Sequence, residues 1–216
     1  MATREKNLEG LFVETLREIY SAEKAILRAL PRMAKAANSD RLRQAFEQHR
    51  DETEDQVERL ERIFEQCSKA ARGRSAPAVD AMIEEAKDVI DEFKGSEVVD
   101  AGLLAAAQAI EHYEISRYGT LKTWAGQLGT RDAAELLETT LQEEKKADRM
   151  LTEIAEAEVN VAAERAQGEA LDGQGGRHQD TRSQGGRNQE SRGEEVKGEQ
   201  AGGSGKGGSR KGGGGR

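Results

Sequence analysis

Through the first 167 residues, apolar side chains recur every three or four positions, the spacing of one helix face, and the period-two alternation of a strand is nowhere sustained. The pattern predicts an all-α domain. Four long helices and one short one are expected: about Leu8 to Lys35, Arg41 to Cys67, a short helix of about 16 residues from Pro77, Val98 to Gln127, and Arg131 to Ala163. Asn38-Ser39-Asp40 supplies a turn and a cap between the first pair. Gly95-Ser96 ends the short helix, and Gly129-Thr130 turns the chain before the last, with Thr130 as the expected cap. Two tight turns imply two antiparallel hairpins. The long connection between them, carrying the short helix, is enough to cross the bundle, which gives an up-down four-helix bundle with one crossover, the ferritin-like connectivity.

The inward seam of each long helix is apolar except near its middle. The first runs Phe12, Leu16, Ile19, Glu23, Ile26, Leu30, and the second Leu42, Ala45, His49, Glu52, Gln56, Leu60, Ile63, Cys67. The third runs Leu104, Ala107, Glu111, Glu114, Tyr118, Leu121, Ala125, and the fourth Ala134, Leu137, Leu141, Glu144, Asp148, Leu151, Ala155. Six carboxylates and one imidazole thus interrupt hydrophobic seams, where an uncompensated buried acid is costly. Their heights match. At a rise of about 1.5 Å per residue each set sits roughly 20–30 Å from its own turn, and the crossover places those turns at opposite ends of helices roughly 40 Å long, so all six meet near mid-bundle.

Hard oxygen donors with one histidine suit iron or manganese better than zinc alone or copper. Two metal ions per chain are therefore expected, iron first and manganese as the alternative, held by Glu23, His49, Glu52, Glu111, Glu114, Glu144 and Asp148. His49 is open to two roles, ligand or hydrogen-bond donor to a ligand. His112, one residue off the seam, reads as a surface or interface residue. Tyr20 and Tyr118 read as core aromatics, either of which can donate to a ligating carboxylate.

The segments Tyr20-Ser21-Ala22-Glu23, His49-x-x-Glu52-Thr53, Gln108-x-x-Glu111-His112-Tyr113-Glu114 with Tyr118-Gly119-Thr120-Leu121, and Leu141-x-Glu143-Glu144-Lys145-x-Ala147-Asp148 resemble the YciE/YciF family of ferritin-like proteins. The resemblance spans about residues 5–160. It implies a rubrerythrin-like bundle, a homodimer, and an association with stress responses. The chain departs from the usual ferritin-like pattern of Glu-x-x-His on two helices: His49 precedes Glu52 by three residues, and Asp148 follows Glu144 by four.

Composition changes the picture beyond residue 167. Of the 24 glycines, 17 lie there, and the only apolar residues are Ala170, Leu171, Val196 and Ala201. Residues 1–167 are therefore expected to form the domain, and residues 168–216 a disordered, low-complexity tail. The whole chain carries −8; the tail, with 9 Lys or Arg against 7 Asp or Glu, leaves −10 on the bundle, which should repel nucleic acid. The end of the tail holds Lys206, Arg210, Lys211 and Arg216 without an acid, which allows weak nucleic-acid contact. A metal-free structural or nucleoid-associated stress protein is the alternative reading that follows. No 20-residue apolar run and no secretory leader is visible, so no membrane association and a cytoplasmic location are expected. The single cysteine, Cys67, rules out an internal disulfide and a Cys-x-x-Cys site.

Overall fold

A computed structural model describes residues 6–175. Its elements are α1 (Leu8–Ala36), α2 (Asp40–Gln66), α3 (Pro77–Phe93), α4 (Val99–Gln127), α5 (Arg131–Ile154), a π-helical segment (Ala155–Val159) and α6 (Asn160–Gly175). No strand occurs among the described residues. The start of α1 is fixed by Asn7, whose side chain accepts from the Gly10 amide at 2.8 Å, and that of α2 by Ser39, which accepts from Leu42. Gly95 and Gly129 follow α3 and α4 with φ of 77° and 76°, a left-handed turn that a side chain would strain.

The hydrogen bonds at one end of the molecule establish the crossover. Asp100, in the first turn of α4, accepts from the backbone amides of Asn38 and Ser39 at 2.8 and 2.7 Å. Ser39 in turn donates to Glu158 in the π segment at 2.6 Å. The α1–α2 turn, the start of α4 and the end of α5 therefore share one end, so α4 runs parallel to α2 and antiparallel to α1. Helix α1 packs on α2 and α4, α5 packs on the same two, and α3 lies across α1 and α4. This is the ferritin-like up-down bundle with a long crossover, as the seams and turns predict. The core is one cluster of apolar side chains, with Leu16, Ile19, Leu42, Leu60, Leu103 and Leu121 wholly buried.

Two local expectations are corrected. Thr130 does not cap α5 with its side chain; its hydroxyl donates to the Ala125 carbonyl at 3.0 Å and so satisfies the end of α4 instead. Nor does the last helix stop at Ala163. The chain stays helical through the π segment and α6 to Gly175, because Glu164-Arg165-Ala166-Gln167 and Glu169-Ala170-Leu171 are good helix formers and the intervening Gly168 costs only about 1 kcal/mol against alanine. The remainder of the expected disordered tail, with its basic end, lies outside the described residues.

Candidate metal centre

Each long helix delivers an ionisable side chain to the same interior level: Glu23 from α1, His49 from α2, Glu111 and Glu114 from α4, and Glu144 from α5. Glu23, Glu114 and Glu144 are wholly inaccessible to solvent, and Glu111 and His49 nearly so. One donor atom from each of His49, Glu111, Glu114 and Glu144 lies within 4.8 Å of the others. His49 Nε2 stands 3.3 Å from Glu111 Oε1 and 4.0 Å from Glu144 Oε2. Glu23 joins from the far side, its Oε1 accepting a hydrogen bond from the buried Tyr118 hydroxyl.

Such a set is out of balance with its surroundings. With the carboxylates ionised, seven buried atoms have no hydrogen-bond partner: Glu23 Oε2, His49 Nδ1, Glu111 Oε2, and both oxygens of Glu114 and of Glu144. Native interiors leave few polar atoms in that condition. Burial pushes the Glu23 carboxyl up to about 7, against the opposing pull of the Tyr118 hydroxyl and His49. Glu111 is raised by burial, with His49 opposing. Glu114 is held well above the carboxylate range by burial and by Glu23, Glu144 and Glu111; Glu144 is raised likewise by burial and then by Glu111 and Glu23. Burial and the neighbouring carboxylates also push the Tyr118 phenol well up. Glu111 and Glu144, and Glu23 and Glu114, lie close enough to share protons. Almost every unpartnered atom is a carboxylate acceptor, so the chemistry that fits is a cation: protons when nothing else is present, or a metal ion bound through hard oxygen with one imidazole.

The two remaining seam acids lie at the margin. Glu52 is 21% exposed and pairs with Gln48 at 2.9 Å and Lys146 at 3.5 Å. Asp148 is 22% exposed and pairs with His112 at 3.1 Å and Gln108 at 3.3 Å. The cause is the phase of the seam. After the three-residue step from Phe46 to His49, α2 takes a four-residue step, which turns Thr53 inward, with its hydroxyl donating to the His49 carbonyl at 2.7 Å. In α5 the step from Glu144 to Leu151 passes through buried Ala147 and leaves Asp148 on the flank.

Tyr20, the other tyrosine near the site in sequence, donates at 2.7 Å to Glu61, away from the cluster. A half-buried pair went unrecognised in the sequence because neither member falls on a seam. Arg59 grips Glu143 at 2.6 and 2.7 Å and Thr140 at 2.8 Å, and Glu143 also accepts from the wholly buried Gln56 at 3.2 Å. This network locks α2 to α5 one residue from Glu144. Asp100 was likewise missed, since a lone acid at a helix start carries no sign that it caps a different helix.

Residues 7–164 match the family described as "Domain of unknown function (DUF892)", a stretch that includes every residue of the cluster. The chain belongs to the DUF892 family. Protein YciF of Escherichia coli strain K12 is 47% identical over 160 residues, covering 74% of this chain and 96% of that protein. The crystal structure of the E. coli stress protein YciF aligns with a TM-score of 0.69 and 45% identity over 72% of this chain and 99% of that one. A second solved structure, YcfI from Rhodopseudomonas palustris, bears a structural-protein label and aligns with a TM-score of 0.68 and 41% identity, over 70% and 97% of the two chains. The chain is thus a homologue of a bacterial stress protein. No helix among its described residues is long and apolar enough to cross a membrane.

Proposed function

We propose that this is a ferritin-like stress-response protein whose bundle holds a dinuclear non-haem metal centre, iron in preference to manganese, that reacts with oxygen or peroxide. One observation carries the reading: a mid-bundle cluster of four buried glutamates and a histidine in which seven polar atoms lack a partner. Four buried carboxylates carry a charge that two divalent cations neutralise. Glu23, His49, Glu111, Glu114 and Glu144 would hold the ions, with Glu52 and Asp148 completing the set from the flanks.

Bound iron would supply one-electron redox chemistry toward oxygen or peroxide. The chain's own residues prepare the place for it. The Tyr118 hydroxyl orients Glu23 and spends its proton donor there. Burial favours the protonated form of Glu111 and of Glu144, so metal uptake would release protons. The apolar seams above and below exclude water, which strengthens every charge interaction within.

Anaerobic calorimetric titration of the full chain with Fe(II) and with Mn(II) tests the reading. Binding near two ions per chain is expected, falling sharply in Glu114→Leu and in Glu144→Gln. Unchanged stoichiometry in both variants would remove the cluster as the site.

A further inference from the structure

On the side of the cluster facing the α1–α2 turn, the four helices do not close completely. A partly open, largely apolar cavity of about 20 Å³ lies there, walled by Ile26, Leu30, Phe46, Ile110 and Leu151, with His49 and Glu111 at its boundary. It exists because each helix places an alanine at this level: Ala29 on α1, Ala45 on α2, Ala107 on α4 and Ala147 on α5. Any one of these as leucine would fill it. On the other side of the cluster Tyr118 and Leu121 are wholly buried.

Size and lining together select the occupant. The volume slightly exceeds the roughly 10–15 Å³ that one water-sized molecule requires, yet a water needs about 2–4 polar partners and the walls are hydrocarbon. Cavities of that character stay dry and accept apolar gases. Hydrogen peroxide, with donors and acceptors at both ends, would lose most of its hydrogen bonds on entry. His49 and Glu111, each at least nine-tenths buried, close the cavity on the side of the cluster, and almost all of the lining is hydrocarbon.

We propose that this cavity is a pocket for dioxygen, admitting an apolar diatomic molecule to the His49–Glu111 edge of the cluster and disfavouring hydrogen peroxide. Dioxygen as the occupant in the cell rests on the metal-centre reading; the preference of the pocket for an apolar gas does not. The test is therefore made without iron. Dissolved dioxygen is paramagnetic and speeds relaxation of methyl protons near which it resides, so methyl NMR of the full chain under dioxygen and under nitrogen locates it. The methyls of Ile26, Leu30, Ala45, Ala107 and Leu151 should relax several-fold faster under dioxygen, and the equally buried methyls of Leu121 and Leu137 should change little. Ala107→Leu, or Ala45→Val if leucine prevents folding, should abolish the selective effect. Equal enhancement at all buried methyls, or cross-relaxation from the Ala107 methyl to resident water, would overturn the pocket. Metal binding without selective enhancement overturns the pocket alone, whereas selective enhancement in a chain that binds no metal supports the pocket and overturns the metal reading.

Discussion

The metal-free protein should lose stability as pH rises from 5 to 8, opposite to the behaviour of a protein whose acids are salt-bridged. Glu23 shows why. Its carboxyl titrates near 7 in the folded chain against 4.5 for an unhindered glutamate, because burial disfavours the charged form. The folded state therefore keeps its proton after the unfolded state has lost it, and stability is full below about 4.5, declines as pH rises, and has lost this contribution above about 7. A shift of that size corresponds to about 3 kcal/mol from Glu23 alone. Glu114, raised well up by burial and then by Glu23, and Glu144, raised by burial and then by Glu111, extend the loss to higher pH. Urea denaturation of chelator-treated protein at a series of pH values measures the slope. Glu23→Gln keeps an acceptor for the Tyr118 hydroxyl and removes the titration, so it should flatten the slope by about that amount and make the metal-free chain more stable at pH 8. Adding Fe(II) anaerobically should restore the parent at pH 8 and help the variant much less. Stability that is flat or rising between pH 5 and 8 in the parent, with no gain in the variant, would refute the reasoning.

Three further outcomes follow from particular contacts. Tyr118→Phe leaves Glu23 Oε1 without its donor, so metal affinity measured by competition with a chelator should fall about 10- to 100-fold with the fold intact by circular dichroism. Arg59→Met leaves Glu143 with only the Gln56 amide and takes the guanidinium from Thr140 in a partly buried position, and should cost about 1–3 kcal/mol in urea denaturation, substantially recovered by the double variant with Glu143→Leu. Asp100→Ala removes the acceptor for two amides at the start of α2 and should lower stability by about 2 kcal/mol without altering metal content.

The fold was legible in the sequence because the signals that specify it are local. Leu42, Leu60 and Ile63 recur at helical spacing, Gly95 and Gly129 mark the stops, and the contrast between two short turns and one long connection fixes the topology. The level of the acidic cluster was legible for the same reason, since distance along a helix is proportional to residue count. Azimuth was harder to read. At 3.6 residues per turn, Glu52 and Thr53 are about equally close to the inward direction set by His49, and only the tertiary packing turns Thr53 inward. The same ambiguity separates Ala147 from Asp148. Contacts between distant segments left no trace: the Asp100 bonds to Asn38 and Ser39, the Arg59 grip on Glu143 and the four-alanine gap all depend on which helices become neighbours. Gly168 misled in the other direction, because one glycine is a weak stop when good helix formers flank it on both sides.

The central claim is that the buried glutamates are kept for a metal. Elemental analysis of the full chain, purified without chelator alongside Glu114→Leu, tests it most directly. Close to two equivalents of iron, or of iron and manganese together, are expected in the parent, with a severe loss in the variant. A parent free of transition metal that also fails to take up Fe(II) or Mn(II) under anaerobic conditions would contradict it.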